Sequence, residues 1–142
     1  MNIGPFCKDL DEHLKREFSY KGRITTRGLG QTLEAKRKAF WLYFRYPTDN
    51  YAGKRTLVIA AISFREKRIG HGTRLLNYLA YIAPKYGYRF ISIENIGESS
   101  RAFASKLGFD LIKPFGGSSE NAIIEVDELR RVLSKRVQVV EQ

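Results

Sequence analysis

A chain of 142 residues, 43% hydrophobic and 28% charged, has the balance of an ordinary globular fold and not of a disordered or fibrous one. No apolar run approaches the roughly 20 residues that span a bilayer, Met1 to Lys8 lack the pattern of a signal peptide, and the lone Cys7 excludes an internal disulfide. With 25 Lys and Arg against 15 Asp and Glu, the formal charge of +10 favours anionic partners over cationic ones. The expectation is one cytoplasmic domain over residues 1–142, with no membrane attachment.

Taken in chain order, Phe6, Leu10, Leu14 and Phe18 recur every fourth position after Pro5, the stripe of an amphipathic helix, and Gly22 is suited to closing it. Gly22 to Thr32 reads as an irregular link with room for a short strand. Phe40, Leu42, Phe44 and Tyr46 then alternate with Trp41, Tyr43 and Arg45, which predicts a strand with one buried face. Pro47 to Asn50 and Gly53 are turn formers, and Thr56 to Phe64 is apolar enough for a central strand. Leu75, Leu76, Leu79, Ile82 and Ala83 have helical spacing, with Pro84 expected to kink or end the helix and Gly87 to cap it. Phe90 to Ile93 predicts a strand. Ser99 or Ser100 would cap a helix bearing Phe103 and Leu107 that stops at Gly108. Phe109 to Lys113 and Ala122 to Val126 predict two strands around Gly116 to Ser119, and Asp127 to Arg136 a closing basic helix. This order describes an α/β fold: a mixed, mostly antiparallel central sheet with helices on both faces.

The segment Phe64 to Arg74 joins a buried strand to a helix. The N–H groups that open a helix have no partner within it, and the helix dipole favours negative charge there. Gly70 and Gly72, one residue apart, let the backbone approach a ligand closely, and Lys67, Arg68 and Arg74 add positive charge against Glu66 alone. The combination is an anion cradle suited to a pyrophosphate. A P-loop would need Gly-Lys-Ser/Thr, and the dinucleotide fingerprint a third glycine where Leu75 stands.

Lys67-Arg68-Ile69-Gly70-His71-Gly72 resembles the Gln/Arg-x-x-Gly-x-Gly/Ala motif of the GNAT N-acetyltransferases, with Lys in place of the first residue. Phe103-Ala104-Ser105-Lys106-Leu107-Gly108-Phe109 resembles the family's second signature, and the likeness covers roughly Phe40 to Val126. It implies the GNAT acyl-CoA N-acyltransferase fold and acetyl-CoA as cofactor. The amides of Arg68, Ile69, Gly70, His71, Gly72 and Thr73, with Lys67, would hold its pyrophosphate. Ile62, Ser63 and Phe64 would pair with the pantetheine arm, with Asn95, Phe103 and Lys106 contributing to the same site. The reaction implied is direct attack of a primary amine on the thioester. Where many members carry a Tyr acid this chain has Ala104, which leaves Ser105, Ser99, Ser100, Tyr88 and Tyr43 as hydroxyls, and Glu94 as a candidate base at a strand end.

Other residues read as structural. His71 is expected to face solvent, His13 to lie on the polar flank of the first helix, and Cys7 to be a small buried residue. Between Lys21 and Arg55 nine basic residues face only Glu34 and Asp49, either a solvated face or a surface for a polyanion such as RNA or an acidic protein. The expected function is acetylation of a primary amine on such an acceptor. The alternative is a catalytically silent module of the same fold that binds CoA, nucleic acid or a protein partner. A homodimer through the C-terminal strands is a further expectation.

Overall fold

The computed structural model describes residues 4–48, 55–112 and 120–141. Helix α1 (Gly4–Phe18) is followed by strands β1 (Thr25–Arg27), β2 (Thr32–Arg37), β3 (Phe40–Thr48) and β4 (Thr56–Phe64). Helix α2 (His71–Tyr86), β5 (Phe90–Ile93), α3 (Glu98–Lys106), β6 (Asp110–Ile112), β7 (Asn121–Glu125) and α4 (Val126–Glu141) complete the chain. The strands form one 7-stranded sheet in the order β1-β2-β3-β4-β5-β7-β6. Only β4 and β5 run parallel, so the sheet is mixed and mostly antiparallel, as expected. Among the described residues no helix is long and apolar enough to cross a membrane.

The period-2 reading of β3 holds. Phe40, Leu42, Phe44 and Tyr46 are buried, while Trp41 is 42% exposed on the opposite face. The ring of Phe6 from α1 enters this layer, stacked on Tyr46 at 5.1 Å and edge-on to Phe44 at 5.9 Å. Helix α1 and the inward face of β3 therefore share one core, closed by Leu75, Leu76 and Leu79 of α2.

Several boundaries differ from the sequence reading. Helix α1 ends through Ser19 in the left-handed region (φ 59), and Gly22 plays no part in its exit. Pro84 lies inside α2 instead of ending it. Near the last turn its missing N–H removes only the bond to the Ala80 carbonyl, and left-handed Gly87 still donates to Ala83 O at 2.8 Å. Helix α3 is capped by Gly97, so Ser99 and Ser100 sit in its first turn rather than before it. Strand β2 had no clear periodic signal because only Leu33 and Ala35 point inward; pairing to Phe44 and Leu42 of β3 defines it. The turn at Asp49, Asn50 and Gly53, the strand end at Lys113 and the Gly116–Ser119 link lie outside the described residues.

One buried carboxylate ties α1 to the sheet. Asp11 is 7% exposed, and its Oδ1 accepts from the backbone N–H of Ile24 (2.7 Å) and Thr25 (2.9 Å) and from the Thr25 hydroxyl (3.1 Å). Burial pushes its pKa up, but the Thr25 and Ile24 N–H groups and Lys15 outweigh that and hold it below 3.8. Asp11→Ala leaves two buried N–H groups unpaired and should destabilise the fold by about 2–4 kcal/mol at neutral pH. A depressed carboxylate stabilises above its unfolded pKa and loses that contribution as pH falls through the folded one. The difference between wild type and variant in urea titrations should therefore shrink below about pH 4.

Candidate functional site

The sheet forks between β4 and β5. Their parallel pairing runs from Thr56↔Phe90 to Ile59↔Ile93 and stops. On the other side Tyr43 pairs with Ala61 but Phe44 with Ile59, so Ala60 is an unmatched residue, a β-bulge that bends β4 at this point. The last link across the fork is Glu94 N–H to Ile59 O, 3.0 Å. Asn95 then adopts φ 51 and donates to Asn121 Oδ1 at 3.1 Å, turning the chain away. Ala60 to Phe64 thus continue without a β5 partner, and such an edge can hydrogen-bond an extended ligand as an added strand would.

That edge leads into the turn before α2. Arg68 (φ 67) and Gly70 (φ 95) are left-handed, and Gly70 caps α2 with no side-chain bond to its opening N–H groups. The first turn of α2 contains no acidic residue. A Cβ on Gly72 would lie 2.9 Å from Phe103 Cζ, and one on Gly70 would meet the Arg74 guanidinium at 2.6 Å. Gly70 needs glycine for its backbone conformation, whereas at Gly72 the close contact is with the tip of the Phe103 ring. Edge, turn and α3 enclose a groove of about 770 Å³, in the range of small-molecule sites.

Every residue expected to bind the cofactor lines this groove except Ile69, whose side chain is 48% exposed beside it, and Asn95, which serves the turn after β5. The structure adds Glu66, Ser99, Ser100, Ala102 and Arg136. Ser99 and Ser100, expected as helix caps or as hydroxyls near the site, thus line the groove itself. Arg136 gave no local signal, since only the docking of α4 brings it here.

His71 does not face solvent. Its Nδ1 lies 2.6 Å from Glu17 Oε2, and its ring packs 4.5 Å from Phe18 and 5.6 Å from Phe64. Glu17 also receives Arg74 through Nη2 (2.6 Å) and Nε (2.8 Å). The Arg74 guanidinium, with a smaller contribution from His71, holds the Glu17 carboxyl below 4.5 despite its partial burial. Helix α1 thus clamps the first turn of α2. His13 is likewise no polar flank: it is 8% exposed, stacks on Tyr78 at 4.6 Å, and burial lowers its pKa. Cys7 is buried as expected, 3.0 Å from Thr25 Oγ1.

At the head of the fork the Glu94 carboxylate forms an ion pair with Arg45 of β3. Tyr43 is half-buried on β3, two residues before Arg45. Ser105, a candidate hydroxyl for the site, is exposed on α3 and is not among the residues that line the groove. Ala104 is fully buried. Tyr88 is 3% exposed with its hydroxyl bound to Leu79 O at 2.7 Å, and burial drives its pKa far up, so it is a core residue and not an acid for the fork.

No family model and no curated protein matches the sequence. Solved structures do. A GNAT-family acetyltransferase from Staphylococcus aureus Mu50 matches with TM-score 0.51 and 16% identity over 89% of this chain and 96% of that one. The PaiA N-acetyltransferase from Thermoplasma acidophilum, solved with coenzyme A, gives 0.51 and 13% over 82% and 68%. The KacTA protein solved in a complex with DNA gives 0.53 and 15% over 94% and 88%. With the forked sheet and the glycine turn in the same chain, these likenesses establish that the protein has the fold of the GNAT acetyltransferases.

Proposed function

We propose that this chain is an acyl-CoA-dependent N-acyltransferase that carries an acetyl group from acetyl-CoA to a primary amine. The observation behind this reading is the continuity of the unpaired β4 edge with a helix-opening turn where Gly70 is left-handed and Gly72 presents bare backbone to the groove. The backbone amides from Arg68 to Thr73 bind the pyrophosphate, with Lys67 and Lys106 adding charge, and Ile62 to Phe64 hold the pantetheine arm in extended conformation. Acetyl-CoA supplies an activated thioester. The protein aligns the amine with it across the fork, and Glu94, oriented by Arg45, accepts the proton that the amine must lose. With Ala104 buried, the departing thiolate takes its proton from water or from Tyr43.

The acceptor in this reading is an amine displayed on an anionic carrier, RNA or an acidic protein. The net charge of +10 and the exposed Arg23, Arg27, Lys36 and Lys38 on and beside the β1–β2 edge support it. Thiol release from acetyl-CoA should be followed with aminoacylated RNA, an acidic amine-bearing peptide and a polyamine. Turnover is expected with the anionic carriers. Glu94→Gln should lower kcat by about 100-fold while acetyl-CoA still binds. Wild-type protein that is folded and fails to bind acetyl-CoA would overturn the proposal; binding without turnover on any acceptor would favour the silent module.

A further inference from the structure

A second cavity, of about 730 Å³, lies between α1, α2 and α4, behind the Glu17–Arg74 ion pair that walls it from the glycine turn. It is built on a stripe of α2 in which Arg74, Asn77, Tyr78 and Tyr81 recur at helical spacing beside the buried Leu75, Leu76 and Leu79, with Tyr78 also packing on the core. Helix α1 contributes His13 and Arg16, and α4 contributes Arg130 and Ser134.

Three features of this cavity are unaccounted for by the fold. His13 is 8% exposed, yet its Nε2 has no hydrogen-bond partner in the protein, a state that disfavours folding unless another polar group meets it. Arg16 lies over the Tyr78 ring at 5.9 Å, and Arg130 faces the cavity from the opposite helix; among the described residues neither forms a salt bridge. Glu17, the acidic residue lining it, is already satisfied by Arg74 and His71. Tyr81 is 72% exposed on the rim, a large ring left in water beside two cations.

We infer that this cavity binds a phosphorylated nucleoside at a site separate from the acyl-CoA groove. Guanidinium forks match phosphate oxygens, which assigns Arg16 and Arg130 to the phosphate. The open face of Tyr81 is a stacking platform for a base. Asn77 of α2 and Ser134 of α4, both exposed to the cavity, supply directional hydrogen bonds to the base or sugar. The volume suits a mononucleotide.

Calorimetry with AMP, UMP and inorganic phosphate, each in the absence and presence of saturating CoA, tests the assignment without depending on catalysis. A nucleoside monophosphate should bind one-to-one, as tightly with CoA present as without it, and more tightly than inorganic phosphate. Tyr81→Ala and Arg130→Ala should each weaken it by about tenfold. Both side chains are exposed, so thermal melting should be unchanged and any loss is local. Three results would each overturn the inference. These are no binding of either nucleotide, equal affinity for phosphate with no effect of Tyr81→Ala, and displacement of the nucleotide by CoA, which would make the cavity an extension of the acyl-CoA groove.

Discussion

Gly72→Trp should weaken acetyl-CoA binding by at least about 100-fold while the protein stays folded. Gly72 sits at the second position of α2, where the backbone N–H groups that would hold a pyrophosphate are still unpaired. Even a methyl group there would come within 2.9 Å of Phe103 Cζ, and an indole would fill the groove between that ring and the turn. The groove is open to solvent, so the larger side chain displaces ligand space and not core. Gly72→Ala should give a milder loss, and Phe103→Leu added to it should restore affinity, because the clash is with the far end of one side chain. Such rescue distinguishes a blocked site from a damaged fold.

Phe6→Ala should reduce stability by about 3–5 kcal/mol, the cost of truncating a fully buried aromatic ring. Phe6 is 0% exposed and touches Phe44, Tyr46, Tyr86 and Tyr88, with ring centroids between 5.1 and 6.5 Å. The three tyrosines are fixed by their own hydrogen bonds: Tyr46 to Tyr86 O at 2.8 Å, Tyr88 to Leu79 O at 2.7 Å, and Tyr86 to the Asp9 carboxylate. They cannot collapse into the vacancy without breaking a buried bond, so the cavity term persists. For a chain of 142 residues this should lower Tm by on the order of 10 °C, measurable by calorimetric melting.

Elements whose signal is local were readable from the sequence. The 3.6-residue stripes of α1 and α2, the alternation in β3, the apolar run of β4 and the glycine turn each depend on neighbours within a few positions. Most of the groove followed from that turn, since a strand entering a helix through Gly70 and Gly72 places its own backbone at the site. Features made by distant partners were not readable. His71 looks solvent-facing in a glycine turn until Glu17, 54 residues earlier, is brought to its Nδ1. Arg45 and Glu94 are 49 residues apart and meet only because β3 and β5 flank β4. Arg136 reaches the groove by the packing of α4, and His13 is buried by Tyr78 from another helix. Strand β2 fails for a different reason: toward the sheet edge one small and one large apolar residue suffice, and two points do not define a period.

In the proposed function the amides of the glycine turn and the free edge of β4 hold acetyl-CoA together. The most direct test is a titration of ¹⁵N-labelled protein with acetyl-CoA, followed by amide chemical shifts. Concerted, saturable shifts are expected in the amides from Arg68 to Thr73 and from Ile62 to Phe64, with the β1–β2 edge unmoved. Saturable shifts confined to the basic edge, or none at all in the turn of a folded protein, would contradict this arrangement.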